Sequence, residues 1–156
     1  MAVLDIVLHP APVLRAKAQP VALFDATLSK LAADMIETMY DAPGRGLAAP
    51  QVGLPMRIFV TDVDWREGDP APKVFVNPEI TQASQDTVLR EEGCLSIPDT
   101  PCRVRRPARV TLKWQDLTGL GHEAAFEGIE ATCIQHELDH LDGILCIDRH
   151  EEEDLE

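Results

Sequence analysis

Two stretches of the chain place hydrophobic residues at helical spacing. In the segment 25–43 the apolar positions recur every three or four residues, at Leu28, Leu31, Met35 and Met39. This period is typical of an amphipathic helix, and Asp25 or Thr27 can cap its start. A second helix is predicted over Gly128–Leu141, with Gly143 at a C-cap position.

Strand-like runs occupy much of the chain between these helices. Short apolar runs bounded by proline, glycine and asparagine predict strands at 57–62, 73–76, 87–90, 109–114 and 123–126. A further short strand is predicted near Ile6–Leu8, and a loop rich in glycine and proline runs over Gly44–Pro55. Because strands and helices do not alternate regularly, the pattern favours an α+β fold, with mostly antiparallel sheets packed around the second helix.

Composition narrows the class of protein. The 156 residues predict one domain over 1–150, followed by an acidic tail at 151–156 that we expect to be disordered. No apolar run approaches the roughly 18 residues that span a bilayer, and the start lacks a secretory signal, so a cytoplasmic protein is expected. A formal net charge of −13 disfavours direct binding to nucleic acid or to anionic membranes.

The sharpest chemical signal is the segment His136-Glu137-Leu138-Asp139-His140. On a helix, residues i and i+4 lie on one face, so the two imidazoles can hold one metal ion. Glu137 stands beside the first ligand and can reach a water molecule there without binding the metal itself. This arrangement predicts metal-assisted hydrolysis, and Asp139 is expected to form an ion pair rather than to act in catalysis.

A catalytic site of this kind needs a third protein ligand and one open position. Two cysteines are candidates on the sequence alone: Cys94, upstream of the histidines, and Cys146, which follows His140 at the spacing of the third histidine in metzincin proteases. A downstream glutamate is excluded because those residues fall in the acidic tail. In a reducing compartment all four cysteines are expected to be free, and Cys102, Cys133 and Cys146 fit buried packing positions.

Three segments together resemble the signature motifs of peptide deformylases. Gly44–Gln51 is similar to the glycine-rich first motif, Glu92–Ser96 to the second and Gln135–His140 to the third. They follow the family's order, and the similarity extends over nearly the whole chain, to about Asp148. The resemblance implies a metal-dependent enzyme that removes the N-formyl group from polypeptides, commonly from formyl-Met, and releases formate.

The resemblance also settles the expected ligand set. Cys94, His136 and His140 would hold one divalent ion, with Cys146 as a packing residue. Fe²⁺ or Zn²⁺ is the expected ion, and Ni²⁺ or Co²⁺ would also suit these ligands. Glu137 would accept a proton from water and return it to the leaving amine.

Contacts to the substrate are assigned by the same resemblance. The Gln51 side-chain amide and the Leu95 backbone N–H would stabilise negative charge on the carbonyl oxygen, although Gln51 also fits a purely structural role in its loop. The pocket for the substrate's first side chain would be lined by Gly44, Arg45, Gly46, Arg90, Ile129 and Cys133.

Two arginines in this pocket depart from the family's pattern. Arg45 stands where family members usually have a small hydrophobic residue, and Arg90 replaces a residue that is commonly aliphatic. Burying two guanidinium groups without partners would be costly. We therefore expect them to pair with Glu91 or Asp41 or to reach solvent, and we expect the substrate's first side chain to be shorter, polar or acidic rather than methionine.

The expected partner is an N-formylated peptide. Bacterial deformylases often continue into a basic helix that is thought to dock on the ribosome, whereas this chain continues into an acidic stretch, so ribosome association is not expected.

Two alternative functions explain fewer of the motifs. One is a small metalloprotease or metal amidase that uses Cys146, and the other is a relative that only binds peptide or metal, for which an intact Glu137 would have no purpose.

Overall fold

The computed structural model describes residues 2–152. Its regular elements in chain order are α1 (Ala26–Asp41), β1 (Gly46–Ala48), β2 (Ile58–Thr61), β3 (Lys73–Ala83), β4 (Thr87–Cys94), β5 (Ile97–Pro107), β6 (Arg109–Gln115), β7 (Gly121–Glu127), α2 (Gly128–Leu141) and α3 (Cys146–Arg149). Short 3₁₀ helices lie at Pro12–Arg15 and Ala49–Val52. Within residues 2–152, no helix has the length and apolar character needed to cross a membrane.

Helix α1 forms over the segment whose apolar period predicted it. Asp25 caps the helix, because its side chain accepts a hydrogen bond from the Leu28 N–H at 3.1 Å. The buried face, which includes Met35, packs against Ile58 and Val60 of β2. Tertiary packing of this kind supplies most of the stability of a helix in a folded protein.

Five strands form an antiparallel sheet in the order β1-β2-β3-β6-β7. All residues of β2 are buried, because successive side chains point to opposite faces and both faces are covered. Ile58 and Val60 pack in the cluster that contains α1, whereas Phe59 packs with Phe75 and with Ile134 of α2. The sheet therefore lies between the two long helices and supports α2 along one face.

Strands β4 and β5 form a separate two-stranded antiparallel sheet. In their register Glu92 pairs with Cys102, and Cys94 pairs with Ile97 after an irregularity in the ladder. Despite this irregularity both side chains face α2, because Glu92 contacts His136 and Cys94 contacts His140. Both are buried, which brings this hairpin against the rest of the molecule at the end of β4.

The C-terminal end of α2 is fixed by the N-terminal arm. The Ala18 N–H donates to the Leu141 carbonyl at 2.8 Å. Gly143 follows the helix with a φ of +76°, and a Cβ there would lie 2.5 Å from the Arg15 carbonyl oxygen. Only glycine fits this position, and the close approach of arm and helix depends on it.

The predicted α+β fold with mostly antiparallel strands is confirmed, as are both long helices. The strand predicted near Ile6–Leu8 is wrong. Those residues form an irregular segment in which the Val7 N–H donates to the Gln51 carbonyl at 2.7 Å. Two residues further on, the His9 N–H donates to the Ser96 carbonyl at 2.9 Å, so the arm joins the Ala49–Val52 helix to the turn after β4 instead of pairing as a strand.

Two strands are absent from the sequence prediction, and the tail differs in part. Strand β1 lies inside the predicted loop Gly44–Pro55, and β5 contains several prolines.

Glu151 is docked, because its N–H donates to the Arg103 carbonyl at 2.8 Å and its carboxylate pairs with Arg105 at 3.3 Å. The prediction of disorder is therefore wrong for Glu151, while residues 153–156 of the acidic tail lie outside the described residues.

Candidate metal centre and substrate cavity

Three potential metal ligands converge between α2 and the β4–β5 hairpin. The Cys94 sulfur and one ring nitrogen each from His136 and His140 all lie within 4.8 Å of one another. Cys94 Sγ and His140 Nε2 are 3.4 Å apart, and the two imidazole centroids are 5.1 Å apart. One helical turn separates the histidines, and all three side chains are buried.

The donor set fits a divalent metal ion. A thiolate and two neutral imidazoles suit zinc, ferrous iron, nickel or cobalt. In tetrahedral geometry, bonds of about 2.3 Å to sulfur and about 2.0 Å to nitrogen place these two ligand atoms about 3.5 Å apart, which matches the 3.4 Å between Cys94 and His140. Without an ion, burial lowers the pKa of His140 to about 3, so its neutral ring offers a lone pair.

His136 is oriented by a chain of charged side chains. Its Nδ1 atom donates to the Glu92 carboxylate at 2.9 Å, which leaves Nε2 available to a metal. Arg106 holds Glu92 through two hydrogen bonds, at 2.7 and 2.9 Å, and also pairs with Asp139 at 2.9 Å. The ion pair expected for Asp139 is therefore confirmed.

The same charges determine whether Glu92 and His136 carry a proton. Burial opposes the charged form of Glu92, but Arg106 and His136 lower its pKa overall. Burial lowers the pKa of His136, but Cys94 and Glu92 outweigh it and raise that pKa to about 10 without an ion. A metal that binds His136 must therefore displace a proton.

Glu137 lies beside the three potential ligands. It is buried, and its Oε1 atom has no hydrogen-bond partner within the described part of the chain. A Cβ on Gly46 would come within 2.6 Å of Glu137 Oε2, so glycine at this position keeps space for the carboxylate. Burial raises the pKa of Glu137 to about 7, a value suited to a group that accepts and returns a proton near neutral pH.

Gln51 approaches the centre from the short 3₁₀ helix Ala49–Val52, and Leu95 from the turn after β4. Gln51 Nε2 lies 3.8 Å from Cys94 Sγ and donates to Ser96 Oγ at 3.1 Å. Its Oε1 atom accepts from the Ala48 N–H at 3.0 Å, so the side chain is held at both ends. Leu95 occupies the turn between β4 and β5, directly after Cys94. Gln51 is thus placed both to anchor its loop and to reach a ligand beside Cys94.

A cavity of about 790 Å³ extends from this centre to the surface. It is lined by the catalytic residues expected from the sequence and by the expected pocket residues: Gln51, Cys94, Leu95, His136, Glu137, Gly44, Arg45, Gly46, Arg90, Ile129 and Cys133. His140 is the one expected site residue outside the lining, since it is buried behind the others. The structure therefore brings three distant sequence segments to one cavity.

The two unusual arginines both line the cavity, without the expected partners. Arg45 is exposed and Arg90 is half-buried, and the Arg90 Nε atom has no hydrogen-bond partner among residues 2–152. Within that range neither arginine forms an ion pair with Glu91 or Asp41, so the expected pairing is wrong. Exposure to solvent, the other expectation, holds for Arg45.

The remaining cysteines are separate from the metal centre. All four cysteines are free. Cys102 and Cys146 pack with Val104 in a small buried cluster, and within the described residues the group of three donors contains Cys94 rather than Cys146. Cys133 is half-buried at the cavity wall, so the core position expected for it is only partly observed.

Three residues that shape the site are absent from the sequence prediction. Arg106 follows the buried Cys102 and Val104 in steps of two along β5, so a strand pattern would have indicated its inward direction if β5 had been recognised. Arg66 and Thr132 also line the cavity. No local sequence pattern indicates the contribution of Arg66, because its loop reaches the cavity only through the tertiary fold.

Comparisons with known proteins identify a family to which the chain is similar. A family model described as polypeptide deformylase matches residues 3–156. The peptide deformylase of Afipia carboxidovorans is 51% identical over 148 residues, which cover 95% of this chain and 86% of that protein. The peptide deformylase of Mesorhizobium japonicum is 50% identical, with 95% and 84% covered. The crystal structure of peptide deformylase from Thermotoga maritima superposes with a TM-score of 0.92 at 43% identity, covering 97% of this chain and all of that one.

Proposed function

This chain belongs to the polypeptide deformylase family, and we propose that Cys94, His136 and His140 hold its divalent metal ion while Glu137 moves the proton. The protein is a metal-dependent hydrolase that removes the N-formyl group from nascent polypeptides. The observation that carries the residue assignment is the convergence of one sulfur and two ring nitrogens within 4.8 Å, beside a cavity whose lining includes Cys94, His136 and the buried Glu137.

The ligand set supports Fe²⁺ or Zn²⁺, with Ni²⁺ or Co²⁺ as alternatives. A bound divalent ion supplies Lewis acidity, which lowers the pKa of water and polarises a carbonyl group. Three protein ligands leave one position open to water or substrate. Cys94 contributes one negative charge to this set, while His136 and His140 contribute none once their rings are neutral.

Glu137 acts as general base and then as general acid. Its carboxylate takes a proton from the water that attacks the formyl carbon, and later gives that proton to the leaving amine nitrogen. Its raised pKa, about 7, makes both transfers favourable near neutral pH. The unpartnered Oε1 atom leaves the carboxylate free to bind water, because no other described side chain occupies that hydrogen bond.

Gln51 and Leu95 stabilise the charge that develops on the formyl oxygen. The Gln51 amide lies 3.8 Å from Cys94 Sγ and is held by Ser96 and Ala48, so it is preorganised rather than mobile. The Leu95 N–H belongs to the turn that follows Cys94. Loss of one such donor typically lowers the rate about 100-fold.

The substrate is an N-formylated peptide, and the enzyme acts on it in the cytosol. The net charge of −13 opposes direct contact with ribosomal RNA. We therefore propose that the enzyme meets its peptide without a stable ribosome contact. Whether methionine is the preferred first residue depends on the arginines of the cavity.

Formate release from formylated peptides tests the assignment. Protein loaded anaerobically with Fe²⁺ is compared with its Glu137→Ala variant, and the bound metal of both is quantified. The variant is expected to keep its metal and to lose at least about 100-fold in kcat. Equal rates in the two proteins would exclude Glu137 as the proton carrier, and loss of metal from the variant would assign it a ligand role instead.

A further inference from the structure

Four consecutive residues, 43–46, line the cavity beside the proposed catalytic groups. A Cβ on Gly44 would lie 2.9 Å from the Leu95 side chain, and a Cβ on Gly46 would lie 2.6 Å from Glu137 Oε2. The backbone of residues 43–46, which we call the wall segment, is therefore in close contact with both sides of the centre. Its position determines the width of the cavity at Leu95.

Regular strand pairing fixes only one end of the wall segment. Gly46 is the first residue of β1 and pairs with Thr61 of β2. One further bond extends this ladder, because the Asp62 N–H donates to the Arg45 carbonyl at 2.8 Å. The two residues before Arg45 lie beyond the ladder, and their carbonyl groups need partners from elsewhere in the fold.

The loop between β2 and β3 supplies these partners. The Trp65 indole N–H donates to the Gly44 carbonyl at 2.9 Å, and Arg66 donates to the Pro43 carbonyl. Trp65 is half-buried whereas Arg66 is exposed. A hydrogen bond that is shielded from water is the stronger of two such bonds, so Trp65 is the main constraint on this end of the wall segment.

Trp65 is itself held by α1 and by the ends of its loop. The Tyr40 ring packs edge-on against the indole, with 5.1 Å between the ring centroids. The Tyr40 hydroxyl donates to the buried Asp62 carboxylate. The same carboxylate accepts from the Ala71 N–H at 2.7 Å, which closes the loop that carries Trp65. The indole N–H is therefore in place before a ligand binds.

We propose, on the basis of the proposed function, that Trp65 is a positioning residue for deformylation. Its N–H keeps the Gly44 carbonyl turned toward the β2–β3 loop, so the cavity beside Leu95 has its width before the peptide enters. Trp65 itself lies outside the cavity lining and acts through Gly44. Because strand pairing fixes Gly46 separately, loss of the indole N–H weakens peptide binding without displacing Glu137.

Trp65→Phe tests this role, because it removes the N–H and keeps an aromatic ring beside Tyr40. KM for formyl-Met-Ala-Ser amide is expected to rise about fivefold, the effect of losing one hydrogen bond, while kcat and the metal content stay unchanged. Trp114→Phe changes the chain's other tryptophan, which lies outside the cavity lining, and should leave KM unchanged. An unaltered KM in Trp65→Phe, or a fall in kcat with loss of metal, would overturn the proposal.

A shape-preserving analogue separates the N–H from the bulk of the ring. In the Trp114→Phe protein, position 65 carries the only indole, and benzothienylalanine can replace it during biosynthesis. This analogue has sulfur in place of the N–H and nearly the same shape, so it also serves if Trp65→Phe does not fold. The same rise in KM is expected. A KM equal to that of Trp114→Phe with its normal indole would assign Trp65 a packing role only and overturn the proposal.

Binding of the unformylated product gives a readout without turnover. Calorimetry with Met-Ala-Ser amide and Zn²⁺-loaded protein is expected to show about fivefold weaker binding to Trp65→Phe than to Trp114→Phe. Equal binding by the two variants, with normal formate release by the wild-type protein, overturns the positioning role and leaves deformylation intact. Absence of formate from the wild-type protein overturns the proposed function, and the two product affinities then decide whether Trp65 shapes the cavity.

Discussion

Nδ1 of His136 donates a hydrogen bond to the Glu92 carboxylate at 2.9 Å, across 44 positions of sequence. This bond fixes both the rotation of the ring and the nitrogen that carries the proton. It also joins the hairpin that bears Cys94 to the helix that bears both histidines. Arg106 of β5 completes the arrangement by holding Glu92 through two hydrogen bonds.

Weakening this bond should weaken metal binding. Glu92→Gln preserves the shape of the side chain but removes the charge that orients His136, so the affinity for Zn²⁺ is expected to fall about tenfold or more. Competition with a chelator of known affinity measures this change. Glu91→Gln, an exposed neighbour on the other side of the strand, serves as the control, and equal affinities in the two variants would contradict the orienting role.

Space beside Glu137 should be essential for activity. A Cβ at position 46 would lie 2.6 Å from Glu137 Oε2 and 2.8 Å from Cys133 Sγ, so Gly46→Ala must displace the carboxylate. We expect a loss of about 100-fold in kcat with the metal content unchanged. Gly121→Ala, where a Cβ would meet nothing within 4 Å, is the matched control. Full activity of Gly46→Ala would show that the position of the carboxylate is not critical.

Removal of single thiols should separate the two candidate third ligands. Cys94→Ala is expected to lose its metal on dialysis, because two imidazoles alone bind weakly compared with a set of three ligands. Cys146→Ala should retain one ion per chain, since this thiol packs in a separate buried cluster. Metal analysis after dialysis decides between them, and the reverse result would favour the metalloprotease interpretation.

The helices were predictable from the sequence because their signals are local. The apolar period of α1 and the cap at Asp25 are contained within the helix itself, and the His136–His140 spacing has meaning only on a helix. The strand β5 could not be recognised in the same way. Its prolines at 98, 101 and 107 usually end a strand. They are tolerated because, within residues 2–152, β4 is the one strand that pairs with β5, apart from a single bridge between Val104 and His150.

The metal ligands were predictable from the sequence, but the residues that orient them were not. Two ligands lie within five residues, and the resemblance of Glu92–Ser96 to the second deformylase motif supplied Cys94. The pairing of Glu92 with His136 and Arg106 depends on the register of β4 and β5 and on how α2 packs against them. No periodicity in the sequence contains that information. Nor does it indicate that the Arg90 Nε atom lacks a hydrogen-bond partner among residues 2–152.

The buried ion pair at Arg106 should contribute strongly to stability. Its guanidinium is buried between Glu92 and Asp139, so Arg106→Met leaves Glu92 without its charged partner. The free energy of unfolding is expected to fall by about 3–5 kcal/mol. Arg109→Met removes an exposed pair with Asp86 and should cost no more than about 1 kcal/mol. Urea denaturation of both variants, each with its metal chelated, gives the comparison.

The pair of Arg106 with Glu92 should also make the free energy of unfolding fall at acidic pH. The folded-state pKa of Glu92 lies below its ordinary value of 4.5, so its stabilising contribution is complete above pH 4.5 and is lost as the pH falls through the folded-state pKa. Between pH 6 and pH 3 the wild-type protein should lose more stability than Glu92→Gln. Parallel pH profiles of the two proteins in urea denaturation would contradict this assignment.

The ligands of the proposed metal site come from two separate parts of the fold. Cys94 closes the two-stranded hairpin, whereas His136 and His140 lie on the helix that the five-stranded sheet supports. An ion held by all three acts as a crosslink between these parts, so local opening of the hairpin requires the ion to dissociate. Chelation should therefore accelerate amide hydrogen exchange in β4 and β5 and leave β2 and β3 protected.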